Sequence, residues 1–322
     1  MTADARYGIT IPFEGITLPD HRQWFTKLVD LGYTDVWSAE VDGVDGFTPL
    51  ALAAAWEPKL NLGVAIIPAF TRGPAILAQS IAALAEVAPG RFTFGLGASS
   101  QVIVERWNGI PFDAPFQRVK DTLAFLRLAL SGEKVDFESP SFTVKGFKLA
   151  RPVAVQPNLF LAALRPGMLK LATNEGDGAI LNWLSSADVQ KVVEVVGTEA
   201  PLTARIFVLP TEDADLARYV GRRMITSYLN VEAYAQFHRW LGRGDALQPM
   251  WDAWKEGDRK KALEVIPDNI VDELIVHGSY ASCRDQIDAY VANGVDIPNI
   301  AVLPIGIDLN EAVTALAPSA RP

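Results

Sequence analysis

The chain alternates short apolar runs with amphipathic stretches, and this alternation constrains the fold more than any other feature. Eight runs read as strands: Arg6 to Phe13, Thr34 to Glu40, Leu60 to Pro68, Arg91 to Gly97, Leu159 to Leu164, Gly178 to Asn182, Thr203 to Leu209 and Asn299 to Pro304. Segments with apolar residues at helical spacing lie between them, such as Ile76, Leu77, Ile81 and Leu84, or Val119, Leu123, Leu126 and Leu130. Pro89-Gly90 and Gly73-Pro74 punctuate the boundaries. Runs this apolar suit parallel strands buried on both faces, and strands alternating with helices give an α/β fold. Eight units fit a closed (β/α)8 TIM barrel better than an open doubly wound sheet, which the pattern alone leaves open.

Two stretches break the rhythm. From Lys134 to Pro152, Val135, Phe137, Phe142, Val144 and Phe147 alternate loosely around Ser139-Pro140-Ser141, which reads as a small β-hairpin excursion before the fifth strand. Thr211 to His277 is long, helical and rich in tryptophan, and reads as an insertion after the seventh strand. No linker or low-complexity tract interrupts the chain, so residues 1–322 are expected to form a single barrel domain carrying an insertion at about 211–277.

Composition removes several function classes. Hydrophobic residues make up 49% of the 322 and charged residues 21%, as in a folded globular protein. No apolar run approaches the ~20 residues of a membrane span, and the start, Met1-Thr2-Ala3-Asp4-Ala5, lacks a signal peptide's regions. A single cysteine, Cys283, excludes an internal disulfide and a multi-thiolate metal site. The three histidines, His21, His238 and His277, are far apart in sequence and sit in or beside predicted helices, so no metal centre is expected. The net charge of −9 argues against nucleic-acid binding. A cytoplasmic protein with no membrane or nucleic-acid partner is the expectation.

A barrel of this type places its site at the carboxyl ends of its strands, so the loops after Phe13, Glu40, Pro68, Gly97, Leu164, Asn182, Leu209 and Pro304 carry the candidates. The fourth of these, Arg91-Phe-Thr-Phe-Gly-Leu-Gly-Ala-Ser-Ser100, reads as a buried strand emptying into a ligand-facing loop. Gly95 and Gly97 remove side chains where a flat or phosphorylated ligand can approach the backbone, and Ala98, Ser99 and Ser100 open the next helix. The same glycines also suit a plain tight turn, and a dinucleotide fingerprint would need glycine where Ser100 stands.

Several stretches together resemble the bacterial luciferase-like monooxygenase family. They are Gly32-Tyr-Thr-Asp-Val-Trp-Ser-Ala-Glu40, Leu62-Gly-Val-Ala-Ile-Ile-Pro68, Gly90-Arg-Phe-Thr-Phe-Gly-Leu-Gly97, Ala162 to Met168, and Asp177-Gly-Ala-Ile-Leu-Asn-Trp183. Their order and spacing match over roughly residues 6–183 and more weakly to the eighth strand. Within the family the chain looks most like the branch of oxidoreductases using the deazaflavin coenzyme F420. The resemblance implies a (β/α)8 barrel and hydride transfer at a flavin-type ring, with an FMN-dependent monooxygenase or a non-catalytic flavin-binding barrel as alternatives. It also implies a homodimer.

The resemblance assigns expectations to particular residues. Ala65 and Ile66 match the place where deazaflavin members carry a non-prolyl cis peptide behind the ring. Glu40 matches an acidic residue at the end of the second strand and is the catalytic candidate; Val41 replaces the histidine that often follows, which speaks against sugar-phosphate dehydrogenase activity. Gly97, Ala98, Ser99 and Ser100 are expected against the cofactor. Ala163 lies at the next strand end; beyond it Arg165, with the N–H groups of Gly167 and Met168, is expected to hold the cofactor phosphate. Asn182 is expected at the ring edge, and Phe13, Trp107 and Trp183 as substrate-pocket walls. The aromatic residues of the insertion, among them Tyr228, Tyr234, Trp251 and Trp254, suit either an apolar substrate pocket or a helical core.

Overall fold

The computed structural model describes residues 6–320. Eleven strands occur among them, nine in one sheet ordered β10-β9-β11-β1-β2-β3-β4-β7-β8, with β9 also paired to β8. The strands are β1 (Gly8–Thr10), β2 (Asp35–Ser38), β3 (Asn61–Pro68), β4 (Phe92–Gly97), β7 (Asn158–Ala162), β8 (Ala179–Asn182), β9 (Leu202–Leu209), the two-residue β10 (Val276–His277) and β11 (Ile297–Val302). The pairs β1–β2, β2–β3, β3–β4, β4–β7, β7–β8 and β11–β9 are all parallel. With β10 set aside, this order is that of an eight-stranded (β/α)8 barrel, the fold the alternation pointed to. The strand β10, at the end of the insertion, is an addition.

The chain divides into two compact units. Among the described residues, one comprises Gly8–Ala163 and Lys170–Ile180; the other comprises 6–7, Leu164–Leu169 and 181–320.

In the first unit, helices α1 (His21–Asp30), α2 (Thr48–Trp56), α3 (Pro74–Val87) and α4 (Pro115–Leu130) follow their strands, and α5 (Pro166–Asn174) begins in the second unit and ends in the first. Pro74 begins α3 because its fixed φ suits a first helical position, and Gly73 before it is extended. The hairpin is present as antiparallel β5 (Val135–Glu138) and β6 (Thr143–Phe147). It is fixed by a ring cluster: fully buried Phe125 of α4 meets Phe137, Phe142 and Phe147 at centroid distances of 5.8, 5.9 and 5.9 Å. The short helix expected through Trp107 is a π-helical turn, Val102–Trp107.

In the second unit, α6 (Asp188–Val196) precedes β9, and the insertion is five helices: α7 (Ala214–Leu229), α8 (Glu232–Leu241), α9 (Gly244–Glu256), α10 (Arg259–Glu264) and α11 (Asp268–Leu274). Asp213 caps α7 by accepting from the Leu216 N–H at 3.0 Å. At Gly221 an added Cβ would lie 2.3 Å from Val271 Cγ1, so glycine is what lets α7 and α11 approach. Leu247, Met250, Val271 and Ile275 bury their side chains with Phe207 and Leu209 of β9. Helices α12 (Tyr280–Ala292) and α13 (Leu309–Ala315) complete the unit. No helix among the described residues is long and apolar enough to cross a membrane.

Candidate functional site

In the first unit the carboxyl ends of β2, β3, β4 and β7 carry the candidates. Within β3, Leu62, Gly63, Val64, Ile67 and Pro68 are buried, while Ala65 and Ile66 are partly accessible. The peptide between Ala65 and Ile66 is cis, as expected for that position. The β3–β4 register shifts across the same residues, between Val64 and Ile67. Ile66 sits centrally: its carbonyl accepts from the Glu40 N–H at 3.3 Å, and its side chain packs above Gly97 beside Ala162. Ala65, Ile66, Ala98 and Ala162 are thus partly accessible, small or aliphatic, and uncharged.

The glycines at this end have a different reason from the one the sequence suggested. A Cβ on Gly95 would lie 2.1 Å from the Val64 carbonyl oxygen and 2.4 Å from Ile180 Cδ1. One on Gly97 would lie 2.9 Å from Ile66 Cγ1 and 3.0 Å from Ala162 Cβ. Protein atoms already occupy both spaces, so close strand packing requires glycine here. Beyond them Ser99 adopts φ 66°, uncommon outside glycine. The Ser100 hydroxyl accepts from the Ile103 N–H at 3.4 Å, so the first turn of the π-helix meets a cap.

Glu40 is held fast. Arg72 Nη2 donates to Oε2 at 2.6 Å and Arg72 Nε to Oε1 at 3.3 Å, while the Gly46 N–H donates to Oε2 at 3.1 Å. The Arg72 guanidinium lies 5.0 Å from the centroid of Phe47, which stacks on Phe94. The carboxylate therefore closes the β2–α2 loop over the end of β3. Phe13 is buried, its N–H donating to His21 Nε2 at 2.9 Å, and its ring stacks on His21 at 5.7 Å. Burial lowers the His21 pKa, which keeps Nε2 available as an acceptor. Trp107, expected as a pocket wall, stands 55% exposed.

In the second unit, Arg165 is exposed, and Gly167 and Met168 lie in the first turn of α5, where no preceding turn supplies acceptors for their N–H groups. Asn182 ends β8 and donates from Nδ2 to the Tyr234 hydroxyl at 2.9 Å. Its Oδ1 is buried without a protein partner. Trp183 follows in the left-handed region, φ 56°, buried against Phe207 at 4.4 Å and Tyr228 at 5.1 Å. Tyr228 meets Tyr234 edge-on at 6.2 Å. Burial pushes the Tyr234 phenol up to about 12, so at neutral pH it keeps its proton.

Of the insertion's aromatics, Tyr228 meets Trp183 and Tyr234 bonds Asn182. Phe237 is fully buried, Trp251 donates to the Leu229 carbonyl at 2.8 Å, and Trp254 lies under Arg259 at 3.6 Å. These serve helix packing. The residue sequence reasoning missed is Arg205, in the middle of apolar β9. Its guanidinium lies 4.9 Å from the Phe207 ring and its Nε is buried without a protein partner. A lone cation in an otherwise apolar run was the available signal.

Comparison with known proteins adds four findings. A family model described as luciferase-like monooxygenase matches residues 5–296. A protein of Mycobacterium tuberculosis, provisionally named a coenzyme F420-dependent oxidoreductase, is 23% identical over 327 residues, covering 92% of this chain and 94% of its own. Among solved structures, the coenzyme F420-dependent tetrahydromethanopterin reductase of Methanopyrus kandleri superposes with a TM-score of 0.79 at 19% identity, covering 98% of both chains. An F420-dependent secondary alcohol dehydrogenase, solved with an F420–acetone adduct, superposes at 0.75 with 16% identity, covering 99% of both.

Proposed function

Because the chain belongs to the luciferase-like monooxygenase family, we propose that it is a coenzyme F420-dependent oxidoreductase, moving a hydride between the deazaflavin ring and a small organic substrate. The F420-dependent relatives support this choice within the family. When bound, the deazaflavin supplies the ring carbon that gives or takes the hydride, leaving the protein to orient, to exclude water and to manage protons.

The observation that carries the reading is the uncharged, partly accessible platform of Ala65, Ile66, Ala98 and Ala162 at adjoining strand ends, inside an otherwise buried sheet. A planar ring needs such a floor. Gly97, Ser99, Ser100 and Ala163 adjoin it in sequence and would border the ring or its side chain. Taken by itself, the second unit offers Arg165 and the N–H groups of Gly167 and Met168 to an anion such as a phosphate, and Asn182 Oδ1, buried and without a protein partner, as an acceptor for a ligand N–H or O–H. Glu40 acts by holding the β2–α2 loop against Arg72, since both its oxygens are engaged within the protein.

Fluorescence titration of the purified protein with oxidised F420, and in parallel with FMN, tests the reading. Saturable F420 binding with negligible FMN binding is expected. The reverse preference moves the chain to the oxygen-using monooxygenases of the family, and binding of neither overturns the account of the platform.

A further inference from the structure

The second unit contains a connected group that none of the cofactor assignments uses in full. Arg205 stacks on Phe207, Phe207 on Trp183, Trp183 on Tyr228, and Tyr228 meets Tyr234, whose hydroxyl accepts from Asn182. Within this aromatic wall three buried polar atoms lack a protein partner: Arg205 Nε, Asn182 Oδ1 and Trp183 Nε1. Among the described residues no carboxylate pairs with Arg205. Arginines are seldom left mostly buried without an anion, because a desolvated unpaired charge is costly.

We propose that Arg205, Tyr234 and Asn182 form a recognition site for a planar organic carboxylate, which is the substrate class of this enzyme. A guanidinium matches a carboxylate's two oxygens in its own plane. Tyr234, having accepted from Asn182 Nδ2, still has its O–H to donate to a carboxylate oxygen. Asn182 Oδ1 then requires a donor, which a hydroxyl on the ligand supplies. The partly accessible ring of Tyr228, backed by the buried rings of Trp183 and Phe207, provides flat apolar surface for the conjugated body of such a molecule. A single cation suits a monoanion better than a phosphate dianion. The proposal relies on the oxidoreductase reading only in calling the ligand a substrate; its binding is measured without deazaflavin.

The test is calorimetric titration of the purified protein with 4-hydroxybenzoate and with its uncharged methyl ester. The acid is expected to bind at least about tenfold more tightly than the ester, roughly the worth of one charge-assisted hydrogen bond. Arg205→Met is expected to abolish that preference, and Tyr234→Phe to weaken the acid a few-fold by removing one donor. Arg259→Ala, which removes a surface cation stacked on Trp254, is expected to leave it unchanged. The wild-type acid-to-ester comparison needs no variant, so misfolding cannot mimic the result. Equal binding of acid and ester, or binding of neither up to millimolar concentration, overturns the proposal. Loss of F420 binding in Arg205→Met with the acid preference retained overturns it differently, by assigning the cation to the coenzyme. Failure to bind F420 in wild type, with the acid preference intact, would sink the oxidoreductase reading and leave this site standing.

Discussion

Glu40 separates a holding role from a proton-carrying one, and paired substitutions decide between them. Its carboxylate takes two bonds from Arg72 and one from the Gly46 N–H, and the side chains are 18% and 24% exposed for Glu40 and Arg72. Exposed ion pairs contribute about 0.2–1 kcal/mol, while breaking buried ones costs about 3–5 kcal/mol. A pair of intermediate exposure should therefore cost about 1–2 kcal/mol to break. Glu40→Gln is expected to lose that amount, seen as a fall in Tm of a few degrees. Arg72→Met loses the same pair and its contact with Phe47, worth about 0.5–1 kcal/mol more. The double variant should be no less stable than Arg72→Met, giving a coupling of about 1–2 kcal/mol in the thermodynamic cycle. Turnover with F420 should fall in parallel in both single variants, because both release the same loop. If Glu40→Gln instead loses about 100-fold or more in turnover, as for a lost general acid or base, while Arg72→Met stays near wild type, the holding role is refuted.

Gly95→Ala should destabilise the protein by about 1–3 kcal/mol through overpacking, because its Cβ meets the Val64 backbone at 2.1 Å and backbone yields poorly. It should also weaken F420 binding, since the displaced segment leads into Ala65–Ile66; a Tm equal to that of Gly73→Ala, where nothing lies within 4 Å, would count against the packing reason. Burial, with the Arg243 guanidinium nearby, pulls the His238 pKa down to about 3 against an ordinary 6.5. The folded state then binds fewer protons than the unfolded state between those values. The contribution is complete above pH 6.5 and is lost toward pH 3, at up to about 1.4 kcal/mol per pH unit. His238→Phe should flatten the fall in urea midpoint between pH 7 and 4, and an unchanged slope would refute the assignment.

The barrel was legible because each strand is a short apolar run closed by a breaker, and burial on both faces leaves such a run few other uses. The hairpin showed in the alternation of Phe137, Phe142 and Phe147, whose rings do meet on Phe125. The insertion showed as helical, but its aromatics did not reveal their targets. Tyr234 and Trp254 look alike in sequence, yet one bonds Asn182 and the other lies under a surface arginine. Trp107 is a pocket-wall candidate by sequence, but it ends a π-helical turn and stands exposed, which its residue type alone does not reveal.

Gly95 and Arg205 mark the two ways in which a side chain's reason escapes the sequence. Glycine at a strand end is compatible with a ligand, a turn or a crowded neighbour, and only the position of the Val64 carbonyl chooses among them. Arg205 was readable in principle. In Leu202–Leu209 alternate residues share a face, so Thr203, Arg205, Phe207 and Leu209 point one way and Ala204, Ile206 and Val208 the other. Phe207 and Leu209 join the insertion's core, which places a cation on the same face as a hydrophobic cluster. A charge in that position opposes folding unless something neutralises it. Since no carboxylate of the described chain does so, stability alone gives no reason for an arginine there; binding an anion does.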